Sequence, residues 1–417
     1  MEKSKKLLDS WHVTGKGITS FKEAVNEINE RTEFVKVLPN SMTFIKNDGV
    51  YHAQTYDPDE GTLKVICCNK ENAGKTATIS NINADKNVDS KSIMNEFINK
   101  SALIMRMDKK TYFLSTEAFF TLKERIGMKD AIYNRFPERD IFISKLMENM
   151  NTAWIMCVRK DGVGKGTINK VYAIFTEKYQ PIPQGIIMNV IEKILEISIF
   201  GRPVASSWKI TQICTEIVIE FPDYAKEISD TYGIIDLIPC IRIMSGDTGK
   251  QSLTFHACWK RKSHYIVQDE VTIKHLTRLT CDKIYDKAVD NLFPKYAKYP
   301  ELLVNTMSII IHDGLNEKKG METVEKFLKY VFKKIKLVEA IGKGNEKSIR
   351  EILLSRFDYK KQISAYDIIA SILDLPYMLR GISERYKLPL ERACGLAPKI
   401  DVDSFLKEEK GDDLIMI

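Results

Sequence analysis

Apolar and polar residues alternate with a period of two through much of the first two thirds of the chain, and with a helical period through the last third. The first pattern sets every second side chain on one face of a strand, and the second gathers every third or fourth on one side of a helix. An early helix is predicted to be capped by Ser20, with Glu23 in capping-box spacing, and to run through Ala24, Val25 and Ile28. Segments 42–45 and 50–53 flank Asn47-Asp48-Gly49, a turn sequence that predicts a hairpin. Segments 103–107 and 111–114 predict a second hairpin, followed by a helix from Ser115 to about Ile126 that Gly127 stops. A third joins 154–158 to 171–176. Segment 186–200 is apolar on nearly every side and predicts a buried helix. Segments 209–221, 238–244, 252–259 and 265–268 read as strands. Beyond Thr272 helices are predicted near 276–292, 299–311, 321–338, 346–356, 364–373 and 376–386.

This order defines an α+β protein, antiparallel-rich strands with helices first and an all-helical module after. Its parts are an N-terminal α+β segment (1–100), a central antiparallel sheet with helices (101–278), a helical module (279–400) and an acidic tail (401–417). The polar stretch 70–92 reads as a loop or connection.

Composition narrows the class. The chain has 417 residues, 44% hydrophobic and 29% charged, the balance of an ordinary folded protein of two or three compact units. The start lacks the apolar core of a secretory leader. Segment 186–200, the greasiest, carries Asn189, Glu192, Lys193 and Glu196 and falls short of the roughly 20 apolar residues a bilayer span needs. A cytoplasmic protein with no membrane span is expected. The eight cysteines include no Cys-x-x-Cys pair and mostly sit in apolar runs, so buried free thiols are expected. His256, Cys258 and His264 come closest to a metal set, but their surroundings alternate as one strand; no metal or cofactor is expected.

Catalytic motifs do not emerge. Three Gly-Lys segments, at Gly74, Gly164 and Gly249, resemble phosphate-binding loops. The glycine such a loop needs five residues earlier is replaced by Asn69, Arg159 and Met244. There is no His-Glu-x-x-His and no Gly-x-Ser-x-Gly. Glu216, Glu220, Asp223 and Asp236 are candidates for a metal, or for solvating strand edges. A non-enzymatic protein is the preferred reading.

Charge is more informative by position than by sum. The net charge is +7, and segment 318–361 holds that much by itself, with thirteen Lys or Arg against six acidic residues. Within the predicted helix 321–338, Val324, Leu328, Val331, Ile335 and Val338 make an apolar stripe. Lys326, Lys329, Lys333 and Lys336 recur on roughly the opposite side, where they either face solvent or contact phosphates. Lys260, Arg261 and Lys262 lie between Trp259 and Tyr265, cations interleaved with aromatics as a single strand would use them, or else a basic turn. At the end, Glu408, Glu409, Asp412 and Asp413 precede Leu414, Ile415, Met416 and Ile417. That arrangement suits docking to a host or phage protein, a solubilising end, or a last helical turn packed at home.

Several short motifs carry a resemblance. They are Trp11-His12-x-x-Gly15 with the amphipathic helix after it, 113–119, 155–159, 171–182, the Ser245-to-Leu253 hairpin, Lys274-His275, and Glu391-Arg392-Ala393-Cys394-Gly395. Through these the chain resembles a phage and plasmid family known only as a domain of unknown function. A family element of the form Arg-x-x-Cys-x-Asn is missing, since Lys262, Ser263 and His264 follow Arg261. The strand–helix middle is more loosely similar to single-strand annealing proteins of the RecT/Redβ type. The resemblance implies a setting in replication, recombination or counter-defence. A homo-oligomeric protein that binds single-stranded DNA without ATP is therefore expected. Its phosphate contacts would come from Lys326, Lys329, Lys333, Lys336, Lys260, Arg261 and Lys262, and its stacking from Trp259 and Tyr265. A protein-interaction factor, such as a counter-defence inhibitor or assembly protein, is the alternative; a metal-dependent nuclease comes third.

Overall fold

The computed structural model describes residues 11–46, 51–57, 62–67, 76–79, 103–108, 110–128, 139–161, 168–249, 251–274 and 280–415. The turn at 47–50, the Gly-Lys segments at Gly74 and Gly164, Lys250, His275, and the terminal Met416 and Ile417 lie outside the described residues.

The protein is α+β. A central six-stranded sheet runs in the order His12–Gly15, Val204–Thr211, Thr215–Glu220, Ile238–Ser245, Leu253–Arg261, His264–Ile273, antiparallel throughout. A second six-stranded sheet runs Thr32–Val37, Trp154–Asp161, Ile168–Thr176, Lys110–Leu114, Leu103–Met107, Thr43–Lys46, with one parallel pair where Ile168–Thr176 meets Lys110–Leu114. Tyr51–Asp57, Thr62–Cys67 and Thr76–Ile79 form a third, smaller sheet.

Strand alternation explains the central core. Ile210, Ile217, Ile241, Ile243, Phe255, Ala257 and Trp259 share one face of the central sheet and are buried, with helices Ile18–Asn29, Gln184–Leu195 and Cys281–Met307 contributing to the same core. The intervening residues Lys209, Glu216, Arg242, His256 and Lys260 point to the other face. The N-terminal Trp-His-x-x-Gly segment is the edge strand of this sheet. Gly15 pairs with Trp208, and a Cβ there would sit 2.2 Å from the indole, so the tryptophan packs flat only on a glycine.

Several local expectations change in context. The first helix starts at Ile18 with Gly17 as its cap; Ser20 lies inside it, bonding Lys16 O at 2.6 Å and accepting from Trp208 Nε1 at 3.1 Å. Thr43–Lys46 pairs with Leu103–Met107 rather than with Tyr51–Asp57, because a turn sequence reverses the chain without choosing the partner. Thr76–Ile79 is a strand within the polar stretch. Segment 209–221 divides into two strands at a turn where Thr211 Oγ1 accepts from Cys214 N. The helix at 186–200 ends at Leu195, leaving Ile199 at 73% exposure while Phe200 packs among Phe221, Tyr224 and Phe293. Cys281–Met307 continues through Pro294 and Pro300, where the prolines suggested a break. Segment 376–386 is instead a short turn, Leu375–Met378, and the start of the helix Glu384–Gly395.

Candidate nucleic-acid interface

The lysine-bearing helix is Glu317–Lys334, capped by Asn316. Val324, Phe327, Leu328, Val331 and Phe332 are buried along it, whereas Lys326, Lys329 and Lys333 are exposed. The stripe stops one turn early. Ile335 ends the helix, and Lys336 is an exposed left-handed residue (φ 55°) that starts the short helix Leu337–Ile341. Lys329 bonds Glu325 at 2.8 Å, and the Lys336–Glu339 separation is 3.9 Å, so part of this charge is met within the chain.

The second basic patch is largely committed to the fold. Lys262 and Ser263 form the two-residue turn between Leu253–Arg261 and His264–Ile273. Arg261 Nε and Lys262 Nζ bond opposite oxygens of the buried Asp374 at 2.7 and 2.8 Å, and Lys260 bonds Glu220 at 2.8 Å. Burial alone would raise the Asp374 carboxyl; the bonds from Lys262 and Arg261 outweigh it and hold the group below its usual range.

Trp259 is not available for stacking on a base. It is 0% exposed, lies parallel to Tyr299 with centroids 5.2 Å apart, meets Tyr296 edge-on, and donates Nε1–H to Gln268 at 2.8 Å. The reason is the period of two: side chains adjacent in sequence leave a strand on opposite faces. Lys260 is therefore outward while Trp259 is core.

Tyr265, the cross-strand neighbour of Lys260, faces outward and borders a cleft of about 400 Å³. One wall is the outer face of the central sheet, with Lys209, Glu216, Arg242 and Met244. The other comes from 376–391, with Arg380, Ile382, Lys387, Leu388 and Glu391. Lys209 and Glu216 are cross-strand partners, as are Arg242 and His256. Arg242 is buried, sits 5.3 Å from the Tyr265 ring centroid, and bonds Glu391 at 2.5 Å. Burial opposes the Arg242 charge, but its surroundings, Glu391 and Glu216 among them, more than restore it. Burial also pushes the Glu391 carboxyl up, against the pull of Arg242. Burial raises the Tyr265 hydroxyl to about 12, so it stays a donor at neutral pH.

Next to the lining residue Pro376 an exposed aromatic has basic side chains beside it. Tyr377, 36% exposed, has Lys262 Nζ at 5.5 Å and the Arg380 guanidinium at 5.7 Å from its ring centroid, with the His264 ring at 6.0 Å. Sequence reading missed Tyr377, Arg380, Lys387, Lys209 and Arg242. Only Arg242 and Lys209 carried a local signal, each a charge between two apolar residues of a strand, Ile241 and Ile243 for one and Trp208 and Ile210 for the other.

The remaining candidates disperse. His256 lies 3.2 Å from Glu270, which also accepts from Arg392, while His264 bonds Leu373 O at 2.9 Å; with Cys258 they do not converge. Glu220 serves Lys260, and Asp223 accepts from Arg202 N. Among the described residues no three His, Cys, Asp or Glu side chains gather as a metal-ligand set. Cys157, Cys240, Cys258 and Cys394 are buried free thiols. At Thr248-Gly249 a Cβ on Gly249 would come within 2.8 Å of Phe175, so that segment is packed against the second sheet.

The tail begins inside the fold. Val402–Ile415 is helical, and Val402 and Phe405 are buried, Phe405 resting 4.9 Å from Phe327 and 5.5 Å from Tyr330 on the lysine helix. Asp412, Asp413, Leu414 and Ile415 continue that helix, and their side chains lie outside the described residues. Among the described residues no helix is long and apolar enough to cross a membrane.

The chain is α+β, with a basic cleft between the outer face of its central sheet and segment 376–391. No family model, curated protein or solved structure matches the chain.

Proposed function

We propose that the protein binds single-stranded nucleic acid beside the cleft, in the recombination or replication setting that the phage and plasmid resemblance implies. The observation that carries this reading is Tyr377, an exposed ring with Lys262 and Arg380 within 6 Å of its centroid. A base stacks on such a ring irrespective of sequence, while the exposed Arg380 meets a phosphate and Lys262 stays with Asp374. Tyr265, Lys209 and Lys387 extend the surface inward. The exposed lysines of Glu317–Lys334 offer a second anion-facing surface. Trp259 has no part in binding.

Fluorescence anisotropy with a labelled single strand, across a salt series and against a duplex of the same sequence, tests the reading. Arg380→Gln should reduce the log–log salt slope by about 0.7, the share of one phosphate contact on a single strand. A wild-type protein that binds neither strand nor duplex at low salt refutes it.

A further inference from the structure

Helix Glu384–Gly395, which brings Lys387, Leu388, Leu390 and Glu391 to the cleft, is tied to the outer face of the central sheet by charge. Arg242, His256 and Glu270 stand side by side on three neighbouring strands, since Arg242 pairs with His256 and His256 with Glu270. Successive residues of the helix meet the two ends of that row with opposite charges, Glu391 on Arg242 at 2.5 Å and Arg392 on Glu270. With the imidazole neutral, the carboxylates and guanidinium groups balance.

His256 is the weak point. It is fully buried, and its Nε2 lies 3.2 Å from Glu270 without the alignment of a hydrogen bond. Its Nδ1, Arg242 Nε and Arg392 Nε also have no hydrogen-bond partner among the described residues. Buried nitrogens are normally paired, and each one left over costs the closed state. The charged and titratable groups around the row are Arg242 and Glu216 on one side, Glu270 on the other, Cys258 on the same strand, and Lys387, Glu391 and Arg392 of the helix. Burial holds the His256 imidazole below its ordinary value near 6.5; Glu270 draws it up, and Arg242 and Arg392 push it down. Glu270, held at about 2 with His256 and Arg392 beside it, keeps its charge in mild acid, whereas burial raises the Glu391 carboxyl. Acid therefore adds a positive charge at His256 and removes a negative one at Glu391, and both changes unbalance the row in the same direction.

We infer that this row is an acid-sensitive latch: a proton taken up at His256 releases helix Glu384–Gly395, and with it one wall of the cleft, from the sheet. The latch is a property of the wall and is independent of the ligand the cleft takes. Because the folded protein holds the imidazole below its ordinary value, the closed helix is favoured above about pH 6.5 and loses that advantage as pH falls toward the folded value.

Hydrogen exchange of the full chain, corrected for its intrinsic pH dependence, is followed in peptides from 384–395 and from 317–334 between pH 7.5 and pH 5. Protection of 384–395 should fall about fivefold or more, the lower end of the coupling between linked sites, while 317–334 holds. His256→Asn, which cannot take up the proton, should keep more of that protection in acid, and His264→Asn should respond as the wild type does. Exchange at the imidazole C2 position reads each histidine's titration without any substitution, and in the wild type it should place His256 below its ordinary value. Protection of 384–395 that does not change with pH overturns the latch, as does a fall that is equal in His256→Asn or a His256 that titrates at or above its ordinary value.

Discussion

Exchanging Trp259 and Tyr377 for alanine, one at a time, separates the aromatic that holds the core from the one offered to a ligand. Trp259 is fully buried against Tyr299 and Tyr296, and its indole satisfies Gln268. Truncation opens a cavity worth about 3–5 kcal/mol and leaves a buried amide oxygen short of a donor, about 1 kcal/mol more. A loss near 5 kcal/mol lowers the melting temperature by roughly 10–20 °C, since each kcal/mol is worth about 2–4 °C in large domains. Binding by the folded fraction should hardly change. Tyr377→Ala removes a side chain more than a third exposed. Its stability cost should stay below about 1 kcal/mol, as for surface positions generally. The lost base stack, about 1–3 kcal/mol, should weaken single-strand affinity roughly tenfold. Thermal melts by circular dichroism and anisotropy titrations on both variants read the contrast. A Trp259→Ala protein that melts within 2–3 °C of the wild type, about the effect of 1 kcal/mol, yet loses affinity would reverse the assignment.

Changing Lys326, Lys329, Lys333 and Lys336 together to Gln should leave the fold intact, because all four lie away from the buried side of their helices. If they contact phosphates, the salt slope falls by at most about 2.8, and an unchanged slope removes this face from the binding surface. Asp374→Asn should cost about 2 kcal/mol, because Arg261 and Lys262 lose a charged acceptor. Since the native carboxyl titrates below its unfolded value near 3.8, its contribution is present above that pH and lost as pH falls through the lower folded value. Urea melts between pH 6 and pH 2 should therefore fall less steeply with acid in the variant, and parallel curves would count against the pair. Deleting 408–417 should leave the melting temperature unchanged, since Val402 and Phe405 remain, and should hold or tighten DNA binding. A drop of several degrees would show that Leu414, Ile415, Met416 and Ile417 pack on this protein and not on a partner.

Local order was legible wherever one segment carries its own signal. Ser115 caps Thr116–Arg125 by accepting from Ala118 N, and Gly127 follows with φ 75°, so one helix could be read from both ends. The apolar stripe of Glu317–Lys334 was likewise legible, but its end was not. Ile335 and Lys336 suit a helix as residue types, and the break at Lys336 turns Leu337 and Ile341 inward. For the candidate site, the strand position of Tyr265 was legible, while that of Lys260, read as part of a basic turn, and the burial of Trp259 waited on the register of the hairpin and on which face of the strand meets Cys281–Met307.

The amino-acid sequence by itself determined the α+β class, most strand and helix segments and the separation of lysines from apolar residues along one helix. Those properties follow from periodicity and turn chemistry within about twenty residues. Tertiary structure decided that Thr43–Lys46 pairs with Leu103–Met107, that Cys281–Met307 runs unbroken past two prolines, and that Arg261 and Lys262 spend their charge on Asp374. It also assembled the cleft, whose walls stand more than a hundred residues apart in sequence, from Lys209 to Glu391. Side chains so distant share a site only after the sheet has chosen its buried face and the C-terminal helices have packed around its edge, and no local pattern encodes where two remote surfaces will meet.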